Sequence, residues 1–315
     1  MNNPLVSILI PTYNRAHSID KTIDSILAQS YKNWECIIVD DGSTDETEAI
    51  VDKYIKQDTR IFYTKRPFSM IKGPSVCRNI GLTLAKGDYI QFFDDDDTMF
   101  TNMLECKINT ILKENADVVV SPLQFFDVTS NQKTKENNIV AKQNSIIEDY
   151  ILGNVSWYVS GPLWKKDFLK ISFDEKIQTL DDWDFNLRNL YLNPKTAYIH
   201  QPLQFYYIYP KGQTLSTKAQ MGDINQKMSS CYTYKKHLSI LKEKKILSNK
   251  MEKCLVKRLL SLLNGFMVKK NPEGKILYSF MKKHLRSLGF VNMWKVKIGF
   301  LSYSVFGVGY RFFKI

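Results

Sequence analysis

The sequence contains no uncharged apolar run approaching the ~18 residues that a bilayer-spanning helix needs, which excludes a polytopic membrane protein. The N-terminus has no basic stretch leading into an apolar run and a small-residue cleavage site, so no signal peptide is expected. Cysteine is scarce. Cys36, Cys77, Cys106, Cys231 and Cys254 are odd in number, widely spaced and form no C-x-x-C pair. Neither a zinc ribbon nor a secreted disulfide scaffold fits that spacing, and reduced cytosolic thiols are the simple expectation. No internal repeat is visible.

What is present is a 315-residue chain with 44% hydrophobic and 24% charged residues, ordinary for a folded protein and long enough for one large domain or two modest ones. The net charge is +12, and it is unevenly placed. Residues 1–219 hold 24 Lys+Arg against 28 Asp+Glu; residues 220–315 hold 20 against 4. The basic last third suggests an anionic partner, nucleic acid or an anionic membrane surface. No nucleic-acid recognition motif accompanies the charge, which favours the membrane.

The first 120 residues alternate between strand and helix patterns. Leu5–Ile10 is an apolar run stopped by Pro11. Ser18 is placed to cap a helix carrying Ile19, Ile23, Ile26 and Leu27 on one face. Glu35–Val39 is a second strand, ended by Asp40-Asp41-Gly42-Ser43, and Ser43 with Glu46 reads as a capping box for the next helix. Arg60–Thr64, a helix from about Ser75 to Lys86, and a strand Tyr89–Phe93 running into Asp94-Asp95-Asp96-Asp97 follow, then a further helix and the strand Asp117–Ser121. This order predicts an α/β fold, a mostly parallel sheet covered by helices, with ligands bound outside the carboxyl ends of the strands. Pro11–Arg15, Asp40–Ser43 and Asp94–Asp97 all lie at such ends. Residues 122–150 read as a polar surface excursion, 151–219 are dense in aromatics, and from about 220 the pattern is helical and basic.

Four adjacent carboxylates repel one another unless positive charge is close. An acidic helix start produces the same string, but the position after an apolar strand favours binding. Hard carboxylate oxygens suit Mg²⁺ or Mn²⁺, which in turn bind diphosphates. Alternate residues of an extended segment face one way, so Asp94 and Asp96 can address one ligand. The Asp40-Asp41 turn suits hydrogen bonding to a base or ribose, with Thr12, Tyr13 and Asn14 in the neighbouring loop.

Taken in order, Val6–Arg15, Ile38–Asp45, Arg78-Asn79-Ile80-Gly81 and Asp94–Asp97 resemble the family-2 inverting glycosyltransferases of the GT-A fold, of the bacterial surface-polysaccharide type. The resemblance covers about residues 4–219. It implies a nucleotide-diphospho-sugar donor, UDP-linked in the first instance, and a divalent metal, Mn²⁺ or Mg²⁺. It implies that Pro11, Thr12 and Tyr13 line the base pocket, that Asp40 or Asp41 meets the uracil, and that Arg78 lies beside the nucleotide. It further implies that Asp94 and Asp95 face the donor, Asp94 near the ribose, and that Asp96 holds the metal, with Asp97 an additional acidic position. Leu180–Arg188 resembles the family's acceptor-side segment, where Asp182 takes the place of the catalytic base. Asp181 stands where Glu is usual, and Trp183 and Arg188 are acceptor-side candidates. Taken alone, Leu180–Arg188 reads first as an acidic helix start with a core Trp; the upstream motifs turn the reading to catalysis. Many relatives carry a His in the segment matching Tyr206–Pro210; here Tyr209 occupies that position, and His200 lies upstream.

The expected layout is a GT-A catalytic domain over residues 1–219 (1–121 for the nucleotide sugar, 122–219 for the acceptor) and a basic helical region over 220–315. Phe300, Tyr303, Phe306 and Tyr310 recur at helical spacing in the uncharged stretch 298–310. Trp294, Lys295, Lys297, Arg311 and Lys314 flank it, which suits a lipid headgroup region or, equally, a helical cap on the protein. The function implied is transfer of a sugar to a hydroxyl of a glycan or lipid-linked glycan, at the inner face of a cytoplasmic membrane. Two alternatives are a nucleotidyltransferase, whose glycine-rich basic phosphate loop is missing from Pro11–Arg15, and a non-catalytic nucleotide-binding protein of the membrane.

Overall fold

The structure is a computed structural model describing residues 3–141, 145–210 and 223–313. The chain forms two compact units, Met1–Ala141 with Val155–Thr214, and Lys142–Asn154 with Leu215–Ile315. The boundary expected at 219/220 lies outside the described residues.

The first unit is built on a seven-stranded sheet. Strands β1 (Val6–Thr12), β2 (Trp34–Asp40) and β3 (Ile61–Lys65) alternate with helices α1 (Ile19–Leu27) and α2 (Thr47–Gln57). Helix α3 (Pro74–Leu84) then leads to β4 (Tyr89–Phe92). After the two-residue strand β5 (Thr98–Met99) come α4 (Met103–Glu114), β6 (Val118–Val120), β7 (Gln124–Asp127) and β8 (Gln132–Glu136). Strand β9 (Pro162–Lys165), helix α6 (Asp181–Leu190), β10 (Thr196–Tyr198) and β11 (Gln204–Ile208) complete the unit. The sheet order is β10-β6-β9-β4-β1-β2-β3, parallel throughout except for β9, which runs antiparallel to both neighbours.

β2 is buried along its whole length and β1 at every position but Pro11. Such strands are covered on both faces and read as continuous apolar runs rather than as alternation. β1 pairs with β2 on one side and β4 on the other, so the chain reverses its winding at β1. That switch point opens a crevice beyond the strand ends. On α4, Lys107 is fully buried and donates to Gln91 Oε1 (2.9 Å), Ser160 O (3.2 Å) and Gly161 O (2.8 Å). Burial pulls its pKa well below the usual lysine range.

Local signals misled at several points. Ser18 precedes α1, but its hydroxyl faces the Asp95 carbonyl (3.5 Å) and makes no cap bond. α2 starts later than a capping box at Ser43 requires, at Thr47; the Ser43 hydroxyl accepts from Asn14 N–H instead (2.8 Å). Part of the stretch expected to be a surface excursion is ordered into a second sheet, β5-β11-β7-β8, in which β11 pairs with β5 antiparallel and with β7 parallel. The polar β8 is an exposed edge, which hides its strand character from hydropathy.

The second unit is helical. Helix α5 (Ile146–Leu152), which the sequence placed with residues 122–219, groups here. It joins α7 (Ile224–Glu243), α8 (Asn249–Val268), α9 (Glu273–Met281) and α10 (Phe290–Phe306). α8 is the hub; Leu255, Val256, Leu259, Leu260, Leu263 and Phe266 are all buried, at the spacing of one broad apolar face. Ser248 caps α8 by accepting from Met251 N–H (3.2 Å) and donates to Glu148 of α5 (2.7 Å).

Candidate active site

Three loops meet at the carboxyl ends of β1, β2 and β4. The first two are stitched together: Asp41 N–H donates to Thr12 O (2.9 Å), Thr44 N–H to Asn14 Oδ1 (2.8 Å) and Arg15 N–H to Thr47 Oγ1 (2.8 Å). Asn14 takes a left-handed φ of 53°, tolerated best by Gly and Asn among residues, which turns the loop back toward β2. Pro11 is half-buried, Thr12 is buried beside Asp95, and Tyr13 is exposed with the Lys72 ammonium 3.4 Å over its ring.

The two aspartates of the β2 turn differ. Asp40 is wholly buried. One oxygen accepts from Gly42 N–H (2.8 Å) and Ser43 N–H (2.7 Å), and the other accepts from the Tyr63 hydroxyl. Asp41 pairs with the buried Arg66 guanidinium, which also donates to the carbonyls of Pro67 and Met70. Asp40 therefore holds the turn, whereas Asp41 is anchored through one oxygen.

In Asp94–Asp97, Asp94 and Asp96 are half-buried while Asp95 and Asp97 are buried, the alternation expected of an extended segment. Arg15 reaches Asp95 (3.0 Å) and Asp96 (3.1 Å), and Arg78 reaches Asp94 (2.8 Å). Asp97 accepts from Tyr207 N–H of β11 (3.1 Å), and burial pushes its carboxyl well above the ordinary range. Burial and the neighbouring Asp95 raise Asp96 to about 7 despite Arg15. Four carboxylates therefore share two arginines, and burial with their mutual repulsion raises the pKa of Asp95, Asp96 and Asp97.

Helix α6 brings the acceptor-side residues in. Leu180, with φ 68°, occupies a left-handed conformation unusual for a bulky side chain and turns the chain so that Asp181 and Asp182 open the helix. Arg78 bridges the groups: the same guanidinium that holds Asp94 also holds Asp181 (2.6 Å). Asp184 is buried and paired with Arg188 (2.6 Å). Asp182 makes no ion pair among the described residues; it accepts from Trp183 N–H (2.7 Å). Burial, then the adjacent Asp181, raise it to about 7. An unperturbed carboxylate would be fully ionised at pH 7, so this group differs from the simple expectation. Trp183 is half-buried beside it.

Arg15, Tyr63, Arg66 and Lys72 gained no role from the sequence. Arg66 had one faint signal, its place just past β3, which runs parallel to β2 and so delivers it beside Asp41. Tyr209 is pushed up to about 12 by burial and Asp96, so it is a neutral phenol beside the acidic run, and His200 is exposed past β10.

No group of three or more acidic, His or Cys side chains among the described residues is arranged to hold a metal ion by itself. The donor chemistry nonetheless fits a hard divalent cation. Asp96 is a partly buried carboxylate whose pKa is raised first by burial and then by Asp95, and a cation beside it would offset both. A single protein carboxylate with diphosphate oxygens suits Mg²⁺ or Mn²⁺.

This architecture is that of the GT-A fold. Staphylococcus aureus TarS (residues 1–349, solved with UDP-GlcNAc) superposes with a TM-score of 0.66 at 20% identity, covering 90% of this chain and 81% of TarS. The Pyrobaculum calidifontis mannosyltransferase PcManGT, solved with GDP-Man and Mn²⁺, superposes with a TM-score of 0.57 at 14% identity, covering 100% of this chain and 84% of that one. The profile of Glycosyl transferase family 2 matches residues 7–167, half of the sequence, and the chain belongs to that family. An uncharacterised glycosyltransferase of Haemophilus influenzae is 40% identical over 132 residues, 42% of this chain and 52% of that protein. The Escherichia coli UDP-Glc:alpha-D-GlcNAc-diphosphoundecaprenol beta-1,3-glucosyltransferase WfgD is 40% identical over 115 residues, 36% of this chain and 44% of WfgD. The matched stretches thus span about half the length of these relatives.

Proposed function

We propose that the protein is an inverting glycosyltransferase that moves a sugar from a nucleoside-diphospho-sugar, a UDP-sugar in the first instance, to a hydroxyl of a glycan or lipid-linked glycan. The observation that carries this is the Arg78 bridge. One buried guanidinium joins Asp94 of the donor-side loop to Asp181 of α6, and so seats Asp182 next to the nucleotide-facing loops.

The base is assigned to the pocket between Pro11–Tyr13 and Asp41, because Asp40 spends both oxygens on the turn and Tyr63. Asp94 and Asp95 lie toward ribose and diphosphate, with Arg78 and Arg15 holding them. Asp182 accepts the proton of the acceptor hydroxyl as that oxygen attacks the anomeric carbon. The bond from that carbon to the diphosphate breaks, and its electron pair leaves with the nucleoside diphosphate. A single base on the face opposite the leaving group is what inversion requires. Asp181 and Asp184 are held by guanidiniums, which leaves Asp182 best able to take a proton. A Mn²⁺ or Mg²⁺ ion held by Asp96 would supply positive charge to the departing diphosphate. The name of WfgD and the ligands of TarS and PcManGT support a nucleotide-sugar donor and a divalent ion.

For the acceptor, the name of WfgD supports a diphosphoprenol-linked sugar on the way to a surface polymer such as lipopolysaccharide or capsule. The +16 balance of residues 220–315 supports a peripheral position at the anionic inner face of the cytoplasmic membrane, and no described helix is long and apolar enough to cross one.

The test is UDP release from a panel of UDP-sugars with Mn²⁺ and a prenyl-diphosphate-linked acceptor, comparing wild type with Asp182→Asn. Transfer with inverted anomeric configuration, lost in Asp182→Asn, is expected. Pyrophosphate release from UTP and a sugar phosphate, with no transfer, would make the protein a nucleotidyltransferase instead.

A further inference from the structure

Helix α10 has two apolar faces, and only one is used within its own unit. At 100° per residue, Val296, Gly299, Phe300 and Tyr303 fall on one side. Val296 and Gly299 are buried, Phe300 stacks on Tyr278 with ring centres 3.5 Å apart, and the Tyr303 hydroxyl donates to Met267 O (3.1 Å). The expectation that Phe300, Tyr303, Phe306 and Tyr310 share one helical face is therefore overturned. Two of the four point inward, and Tyr310 lies beyond the helix end, in the turn Tyr310–Phe313 that follows Gly307.

The opposite side is apolar too. Phe290, Val291, Trp294, Ile298, Leu301 and Val305 fall within an arc of about 100°. All six are exposed, Phe290 at 74%, Leu301 at 66% and Val305 at 62%. The arc is bordered on one side by Lys297 and Ser304 and on the other by Lys295 and Ser302. The Lys297 ammonium sits 4.8 Å from the Trp294 ring. Beside the arc, Tyr278, Lys282, Lys297, Phe300, Leu301 and Ser304 line a cleft of about 530 Å³, apolar within and carrying two ammonium groups. After Glu273 the sequence has eight Lys and Arg and no Asp or Glu.

We infer that this outward face of α10 is the surface by which the protein docks on an anionic lipid membrane, the apolar arc entering the headgroup–acyl boundary and the flanking lysines meeting lipid phosphates. Charge selects the occupant. A second copy would bring the same uncompensated cations against themselves, whereas an anionic bilayer complements both the apolar arc and its basic border. Inward residues pin the helix, so the outward arc is presented in a fixed orientation. The inference names the surface behind the peripheral position proposed above and does not depend on the transfer chemistry.

The test uses the full chain and vesicles of phosphatidylcholine alone or mixed with phosphatidylglycerol. Sedimentation with the mixed vesicles, weakened by salt, and a blue shift of tryptophan fluorescence that Trp294→Phe removes, are expected. Ile298→Glu/Leu301→Glu changes only exposed positions and should lower vesicle affinity by at least ~10-fold at unchanged melting temperature. Lys295→Glu/Lys297→Glu, a second variant, should abolish the preference for anionic vesicles. Equal binding to neutral vesicles, full binding by Ile298→Glu/Leu301→Glu, or a dimer in light scattering that this variant dissolves without any vesicle binding would each overturn the inference. None of these readouts involves donor or acceptor, so its failure is separable from failure of the glycosyltransferase reading.

Discussion

The two units of the protein handle positive charge in opposite ways. In the sheet unit, Arg15, Arg66, Arg78 and Arg188 are each engaged by at least one aspartate, and Arg15 and Arg78 take two apiece. In the helical unit the cations are mostly lysines, and over residues 220–315 they outnumber the acids 20 to 4. The planar guanidinium can hold two carboxylates at fixed angles with little loss of freedom, which suits a site that must keep its aspartates apart and oriented. The ammonium on a flexible stem suits a surface that meets a diffuse anion. Fixed geometry in one unit and free charge in the other lead to different expectations on mutation.

The largest effect is expected at Asp182, which opens α6 beside the paired Asp181 and makes no ion pair among the described residues. Asp182→Asn should lower kcat by ~10²–10⁴ with UDP affinity little changed, the range of a lost general base. With Asp182 raised to about 7, the ionised base accumulates above that pH, so wild-type turnover should climb through pH 7. The sign for stability is the reverse. A carboxyl whose folded pKa is raised holds its proton more tightly when folded, so it opposes folding as pH rises from about 4 to about 7. Asp182→Asn should therefore melt higher than wild type at pH 8 and show no gain at pH 3. Equal melting at both would mean that Asp182 is not strained by burial.

Arg78→Met should come next. It leaves Asp94 and Asp181 facing each other without their shared cation, at a cost of about 3 kcal/mol in urea unfolding. Arg78→Lys keeps a charge but cannot span both carboxylates, and should recover less than half of that loss. If Lys substituted freely, the contrast between guanidinium and ammonium would lose its basis.

Smaller effects separate the two aspartates of the β2 turn. Asp40→Asn should cost about 2 kcal/mol by weakening two turn hydrogen bonds and the Tyr63 contact. Asp41→Asn should instead lower UDP affinity, read by calorimetry, by roughly 10-fold. The smallest pair lies on α10. Phe300→Ala should cost about 2 kcal/mol because it loses the stack on Tyr278, while its neighbour Leu301→Ala should stay within about 0.5 kcal/mol. A large loss at Leu301 would show that the outward arc is packed rather than free.

Much of the sheet unit was legible because its signals are local. Runs such as Leu5–Ile10 and Glu35–Val39 announce buried strands, and the polar segments after them mark the ligand edge whatever the partners prove to be. The family likeness was legible for the same reason, since its motifs sit in those loops. Charge asymmetry is likewise a property of the string alone. The sequence by itself thus determined the strand–helix order, the three loops of the site, the acidic run and the basic last third.

Tertiary structure decided how equal candidates were divided. Asp40 and Asp41 are adjacent and chemically identical. Tyr63 and Arg66, more than twenty residues away, arrive on β3 and assign one to the turn and leave the other anchored through one oxygen. Asp181, Asp182 and Asp184 are sorted in the same way by Arg78, 103 residues from Asp181, and by Arg188. Ser43 looked like a cap because its spacing to Glu46 is right, yet Asn14 N–H reached its hydroxyl first. On α10 the aromatic repeat was real, but two apolar faces share one helix, and only the docking of Tyr278 and Met267 tells which is inside. Spacing reports what a segment can do by itself. Which of several like groups is buried, paired or left reactive depends on partners brought by the fold from distant parts of the chain, and no local pattern encodes their arrival.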